Sequence, residues 1–324
     1  MKAVICRNYG SPDLLTLEDM PSLTPEPNEV IVDVKACGLN FPDTLIIQGK
    51  YQFQPEFPFS PGGEVAGTVK SIGSEVKHLC VGDRVMAGTS WGGMAQEARS
   101  LASNAFKIPD SMSFESAAGS LMTYATAYHA LVDRAAIKSG ETVLVLGAAG
   151  GIGVASIQIA KILGCHVIAC ASTDDKLDFC SQLGADETVN YMSEDLKTRV
   201  KEITNGQGAD VIVDPVGGRF AEPAFRSIAR FGRYLVVGFA SGEIPSIAWN
   251  LPLLKSASIV GVFWGSFFRN NPEDNAQNVA QLLRWFDDGQ MSTQLYQVYP
   301  LSAFKEALDC LTNKEVKGKI VLLP

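Results

Sequence analysis

The sequence predicts an α/β protein built around a doubly wound parallel sheet, joined to a separate, mainly β domain. Two observations carry this. An apolar strand beginning at Val143 runs into a glycine-dense turn and then into an alanine-rich helix, and strands and helices alternate from there to Val237. Residues 1–121 instead read as short strands separated by turns rich in glycine, proline and asparagine. Alternation of strand and helix suits a parallel sheet covered on both faces, whereas turn-punctuated strands suit a compact barrel.

The turn reads Ala148-Ala149-Gly150-Gly151-Ile152-Gly153, so alanine stands where the G-x-G-x-x-G pattern has its first glycine. Small residues let backbone amides approach a pyrophosphate, and the helix Val154–Leu163 points its unpaired N–H groups and positive dipole end at the same place. A tight reversal between strand and helix would also call for glycine here. The alternation continues with a strand His166–Ala171, a helix Asp174–Leu183 stopped by Gly184, and a strand Glu187–Asn190. A helix near Asp195–Thr204, a strand Ala209–Asp214, a helix Phe220–Ala229 and a strand Arg233–Val237 complete it. Residues 122–265 are therefore expected to form a dinucleotide-binding domain, with residues 1–121 and 266–324 forming the other.

The end of the second strand bears on the choice of nicotinamide cofactor. An acid there would accept hydrogen bonds from a free ribose 2′-hydroxyl, but counting back from Gly184-Ala185 places Ala171 at that position. Ser172, Thr173 and Lys176 can bind a 2′-phosphate through hydroxyls and charge, which favours NADPH over NADH. A solvated helix lysine is the plain alternative for Lys176, and Asp174 and Asp175 lie close by.

At 324 residues and 46% hydrophobic, the chain can bury two cores. A net charge of -8 with no basic run argues against nucleic acid as a partner. No stretch approaches the ~18 uninterrupted apolar residues of a membrane span, and Met1–Cys6 enters a strand without an export signal, so a cytoplasmic setting is expected. The seven cysteines, Cys6, Cys37, Cys80, Cys165, Cys170, Cys180 and Cys310, lack C-x-x-C spacing and read as reduced. His78, His129 and His166 are dispersed, so no metal cluster is expected.

In the β domain, Glu29–Ala36, Gly63–Ile72 and Asp83–Ala87 are strand candidates. After a helix near Asn275–Asp288, the strands Gln294–Tyr299 and Lys319–Leu323 flank a helix Ser302–Leu311 and are expected to pair with the N-terminal domain, closing a cleft around the cofactor.

Several motifs carry a resemblance that runs end to end: Gly38-Leu39-Asn40-Phe41-Pro42-Asp43, Pro61-Gly62-Gly63-Glu64-Val65-Ala66-Gly67, Val81-Gly82-Asp83-Arg84-Val85, the Ala148–Gly153 turn and Gly318-Lys319-Ile320-Val321. Through them the chain resembles the zinc-independent medium-chain dehydrogenases/reductases of the quinone oxidoreductase, zeta-crystallin-like family. The runs Val237-Gly238-Phe239-Ala240 and Phe263-Trp264-Gly265 are closest to that branch. The resemblance implies a Rossmann nucleotide domain with a GroES-like barrel. Zinc-dependent relatives place cysteine where this chain has Asn40 and histidine where it has Gly63, and the four-cysteine lobe is absent between Trp91 and Pro109. Without a Lewis acid, alcohol oxidation loses its main transition-state stabiliser, and hydride addition from NADPH to an apolar quinone or enone becomes the expected reaction.

The resemblance also assigns roles. Asn40 would stand in the former metal pocket, its amide donating to the substrate oxygen, with a turn-stabilising asparagine as the alternative. Tyr51 fits a substrate wall and a proton donor equally, and Asp43 and Glu64 would order the pocket. Thr126 would sit by the nicotinamide ribose and Ala149, Gly150, Gly151, Ile152 and Gly153 at the pyrophosphate. Tyr191 would join Ser172 and Lys176 near the adenosine phosphate, and Phe239, Phe263, Trp264 and Gly265 would edge the nicotinamide. For the run Phe263–Phe268 a core or subunit-contact strand is the alternative, and Ser258–Phe263 is the expected seam of a homodimer. Two rival functions remain: an enoyl-thioester reductase, which calls for a basic groove not evident in the sequence, and a non-catalytic NADPH-binding protein.

Overall fold

The computed structural model describes residues 1–324. They divide into one unit of Met1–Met122 with Phe268–Pro324 and a second of Thr123–Phe267. The first unit opens with an antiparallel pair, β1 (Lys2–Ile5) and β2 (Thr16–Asp19). The long strand β3 (Glu29–Leu39) leads into the short helix α1 (Phe41–Ile46), followed by β4 (Glu64–Ile72), β5 (Arg84–Gly88), β6 (Glu97–Leu101), β7 (Ala105–Lys107) and helix α2 (Phe114–Ala118). β3 is buried along most of its length because it is flanked throughout: β4 lies along one edge, and β6 then the C-terminal strand share the other.

Helix α3 (Leu121–Tyr128) continues into a π-helical stretch to Arg134. The second unit then alternates β8 (Thr142–Leu146), α4 (Gly151–Ile162), β9 (His166–Ala171), α5 (Asp174–Gln182), β10 (Glu187–Asn190), α6 (Leu196–Ile203), β11 (Ala209–Asp214), α7 (Ala221–Arg226), β12 (Ile228–Val236), α8 (Asn250–Lys255), β13 (Ser258–Gly261) and α9 (Trp264–Asn270). Its six strands lie in the order β10-β9-β8-β11-β12-β13, all parallel. This is the doubly wound Rossmann order, in which the chain reverses direction across the sheet between β8 and β11. Val143, Leu144, Val145 and Leu146 are buried on both faces of the sheet, which is why β8 reads as a continuous apolar run rather than an alternating one.

The chain returns to the first unit through α10 (Pro272–Asp287), β14 (Leu295–Pro300), α11 (Phe304–Thr312) and β15 (Lys319–Leu323). β15 pairs antiparallel with β3, Val321 opposite Gly38, and extends the barrel-like sheet to the order β14-β15-β3-β4-β5-β7 with β6 beside β3. No helix is long and apolar enough to cross a membrane.

For the run Phe263–Phe268 the alternative of a strand fails: from Trp264 it is helical, and Trp264 and Phe268 are buried four residues apart, on one face of α9. The helix expected over Phe220–Ala229 ends at Arg226, because Ala209 pairs with Ile228 and the Ala209 N–H donates to Ser227 O at 3.1 Å, drawing the chain into β12.

Candidate active site and dinucleotide site

In the first unit, four chemistry-bearing side chains meet where β3 ends. Asn40 leaves β3 in an extended conformation and caps α1, and its backbone N–H donates to Asp43 Oδ2 at 2.8 Å. Asparagine followed three residues later by an acid is a helix-start signal, and Pro42 in the first turn suits it because its missing N–H is not needed there. The Asn40 side chain reaches further partners beyond this capping box. Its Nδ2 donates to Glu64 Oε1 at 2.7 Å and to Gly38 O at 3.4 Å, while its Oδ1 accepts from Lys319 Nζ at 2.6 Å. Lys319 Nζ also donates to Leu39 O and to Glu64 Oε1, both at 2.8 Å, and the second oxygen of Glu64 accepts the Met122 N–H at 2.8 Å. Asn40, Asp43, Glu64 and Lys319 are all at most 5% exposed.

The backbone makes room for this cluster. A Cβ on Gly38 would lie 1.9 Å from Ala118 O and 2.8 Å from Glu64 Oε1, so only glycine lets β3 pass α2 at that point. Burial, and then the Glu64 carboxylate, push the Asp43 carboxyl up to about 6, against the opposing pull of the Asn40 and Gly62 backbone and of Lys319.

Tyr51 is half-buried, edge-on to Phe53 with ring centres 6.4 Å apart, and the Arg269 guanidinium lies 4.1 Å over the Phe53 ring. Burial and the neighbouring Asp43 charge raise the Tyr51 hydroxyl's pKa, and Arg269 opposes them. Of the other aromatic residues between Gln48 and Phe59, Phe59 is core and Phe57 packs on Tyr9 at 4.6 Å, so only Tyr51 and Phe53 combine with a cation.

In the second unit the turn after β8 is shaped by three glycines. Gly147 takes φ +58, and Gly150 precedes α4 with no side-chain cap, so the first N–H groups of α4 have no intrahelical acceptor. A Cβ on Gly153 would lie 2.5 Å from the carbonyl oxygens of both Gly147 and Ala148, so the close approach of helix to turn requires glycine there. Ala149 is buried, and Gly150, Gly151 and Ile152 are partly exposed along the turn. This uncapped helix start lies at the carboxyl end of β8, beside the place where the sheet order reverses.

β9 ends at Ala171 with no acid following directly. Ser172 hydrogen-bonds the Tyr191 hydroxyl, whose pKa burial pushes up to about 12. The Tyr191 ring packs on Phe220 at 4.2 Å, and Asp174 is drawn away by Asn190, whose Nδ2 donates to its Oδ1 at 2.7 Å. Thr173 caps α5 through the Lys176 N–H. Thr126 is buried in α3, Phe239 is 36% exposed in the loop after β12, Phe263 is 45% exposed, and Trp264 is buried with Gly265 beside it.

Three residues have no role assigned from sequence. Lys319 lies in the Gly-Lys-Ile-Val motif, but its partners are 255 and 279 positions away, beyond any local pattern. Arg269 sits in a polar run that reads as surface. Arg219 stacks at 4.9 Å on Phe220, the ring that packs on Tyr191, which adds a guanidinium to the Ser172 and Tyr191 end of the sheet.

Comparison with known proteins agrees with this architecture. A family described as "Alcohol dehydrogenase GroES-like domain" matches residues 26–134, and one described as "Zinc-binding dehydrogenase" matches residues 151–285. The donor set does not fit the zinc that the second description implies. Position 40 offers a carboxamide, a Cβ at position 63 would meet Met122 Cε at 2.9 Å, and Glu64 is already held by an ammonium. No group of three or more histidine, cysteine, aspartate or glutamate side chains is gathered to hold a metal.

The chain is 39% identical to a quinone oxidoreductase-like protein 2 homolog of Nematostella vectensis, over 99% of this chain and 88% of that one. It is 31% identical to human quinone oxidoreductase over 100% of this chain and 98% of the other. The solved Escherichia coli quinone oxidoreductase complexed with NADPH superposes with a TM-score of 0.93 at 30% identity, over the full length of both chains. With two domain families matched in order and full-length similarity of sequence and fold, the chain belongs to the quinone oxidoreductase family of zinc-independent medium-chain dehydrogenases/reductases.

Proposed function

We propose that this protein is an NADPH-dependent reductase of small apolar quinones or α,β-unsaturated carbonyls, working without a metal. The observation that carries the reading is the uncapped start of α4 at the carboxyl end of β8, with Gly153 crowded against two carbonyls and no acid at the end of β9. Backbone amides of Gly151–Gly153 bind the diphosphate, and Ser172, Lys176, Tyr191 and the nearby Arg219 receive the adenosine phosphate. Thr126, Phe239 and the Phe263–Gly265 segment border the nicotinamide end. When bound, NADPH supplies a hydride from its nicotinamide C4.

Tyr51 and Phe53 offer a flat apolar wall to the acceptor, and the half-buried Tyr51 hydroxyl supplies the proton or hydrogen bond that the reduced oxygen needs. Asn40 and Asp43 shape the polar floor instead of contacting substrate, because the amide hydrogens of Asn40 go to Glu64 and Gly38 and the Asp43 carboxylate accepts the Asn40 N–H. We further infer a homodimer joined along β13, the outermost strand of its sheet, on which Ile259 is exposed.

Following absorbance of NADPH during exposure to 1,4-benzoquinone, 9,10-phenanthrenequinone and simple enones, with NADH in parallel, tests the reading. Turnover of at least one acceptor with NADPH preferred is expected. NADPH binding without turnover of any acceptor, acyl thioesters included, would leave a binding protein, and turnover of thioesters alone would transfer the reading to an enoyl-thioester reductase.

A further inference from the structure

Lys319 is 4% exposed, and all three N–H bonds of its ammonium have acceptors: Leu39 O and Asn40 Oδ1, neighbours at the junction of β3 and α1, and Glu64 Oε1 at the start of β4. Glu64 in turn accepts from Asn40, Lys319 and the Met122 N–H in the first turn of α3, and donates nothing, so it acts as a carboxylate. Burying a charged pair is costly unless the hydrogen bonds of both partners are satisfied. Replacing such a pair by apolar residues is often neutral or stabilising, so a buried pair by itself says little about stability.

The carboxamide of Asn40 explains what is gained. Oxygen and nitrogen of an amide are nearly equal in size, and only their hydrogen-bond partners distinguish the two flips. Here an ammonium that can only donate faces one end and a carboxylate that can only accept faces the other. Flipping Asn40 would set Nδ2 against Nζ and Oδ1 against a carboxylate oxygen, two repulsive contacts in a buried place.

We propose that Lys319 is a positioning residue for the reaction: together with Glu64 it locks the Asn40 carboxamide in one flip and ties β15, β3, β4 and the start of α3 into a rigid polar floor beneath the acceptor. The same ammonium occupies the face of Glu64 that a metal cation would need, so one internal cation both organises the floor and excludes an external one. Asp43 adds to the floor through the Asn40 N–H and lies within electrostatic reach of both Lys319 and Tyr51.

The activity part of this inference rests on the reductase reading, and the structural part does not. Lys319→Met leaves Glu64 buried without its ion pair, so it is compared with Lys319→Arg and with the doubly neutral Lys319→Met/Glu64→Gln. Crystal structures or side-chain amide resonances of selectively ¹⁵N-labelled asparagine read the Asn40 flip directly, and steady-state kinetics read kcat apart from KM. The double variant should fold and bind NADPH within twofold of wild type, show two Asn40 amide populations, and lose at least tenfold in kcat. Lys319→Arg should keep one population and recover most of the turnover. A double variant with one amide population and unchanged kcat would reduce Lys319 to a packing residue and overturn the proposal. Two populations in a protein whose wild type reduces no acceptor would keep the lock and refute only the reductase reading.

Discussion

Asp43 enters the fold with a carboxyl raised from 3.8 to about 6, chiefly by burial and by the carboxylate of Glu64. Below about pH 3 both folded and unfolded chains hold the proton and no penalty exists. As pH rises towards 6 the unfolded chain ionises first, so the buried carboxyl costs stability, about 3 kcal/mol once both states are ionised. Asp43→Asn keeps an acceptor for the Asn40 N–H and removes that cost. In urea unfolding, the variant should gain on the wild type between pH 4.5 and 7.5; a constant difference across that range would show that Asp43 titrates normally. Tyr51 is the other residue whose chemistry can be isolated. Tyr51→Phe keeps the ring beside Phe53 and removes the hydroxyl, so kcat should fall by roughly tenfold to a hundredfold with the KM for NADPH unchanged. An unaltered kcat would make Tyr51 a wall alone.

Among the elements, the turn between β8 and α4 is where sequence and structure speak most directly to each other. The glycine run was legible because a short-range constraint writes it: Gly153 has carbonyl oxygens 2.5 Å from where a Cβ would be. Gly153→Ala should therefore push α4 away from the turn, lower stability by about 1–3 kcal/mol and weaken NADPH binding together. Thermal melts with and without NADPH measure both, and loss of stability with intact affinity would separate the turn from the ligand. The parallel strands were legible for a related reason, since burial on both faces leaves uninterrupted apolar runs such as Val143–Leu146. For α9 the strand alternative rests on its run of aromatic residues, whereas the four-residue spacing of the buried Trp264 and Phe268 is helical. The short helices α1 and α2 left no periodicity to detect. The polar floor was legible only in part: Asn40 and Asp43 sit in one motif, but what fixes Asn40 comes from β15, through a lysine that local pattern alone leaves as part of a terminal strand.

At the scale of the whole molecule, β13 is the outermost strand of its sheet, with one edge unpaired and Ile259 exposed on it. Light scattering after gel filtration should give twice the chain's 34.7 kDa, and Ile259→Lys in β13 should return the monomer mass. A wild-type monomer would refute the seam.

In the proposed reaction, reducing equivalents pass as hydride from NADPH to an activated carbon with no metal taking part. NADPH carrying two deuterons at the nicotinamide C4, turned over with an enone in ordinary water in the presence of a strong chelator, tests it most directly. Mass and NMR analysis of the product should find one deuteron on the β-carbon, formed at the same rate as with the deuterated cofactor and no chelator. Deuterium absent from that carbon, or turnover abolished by the chelator, would contradict the account.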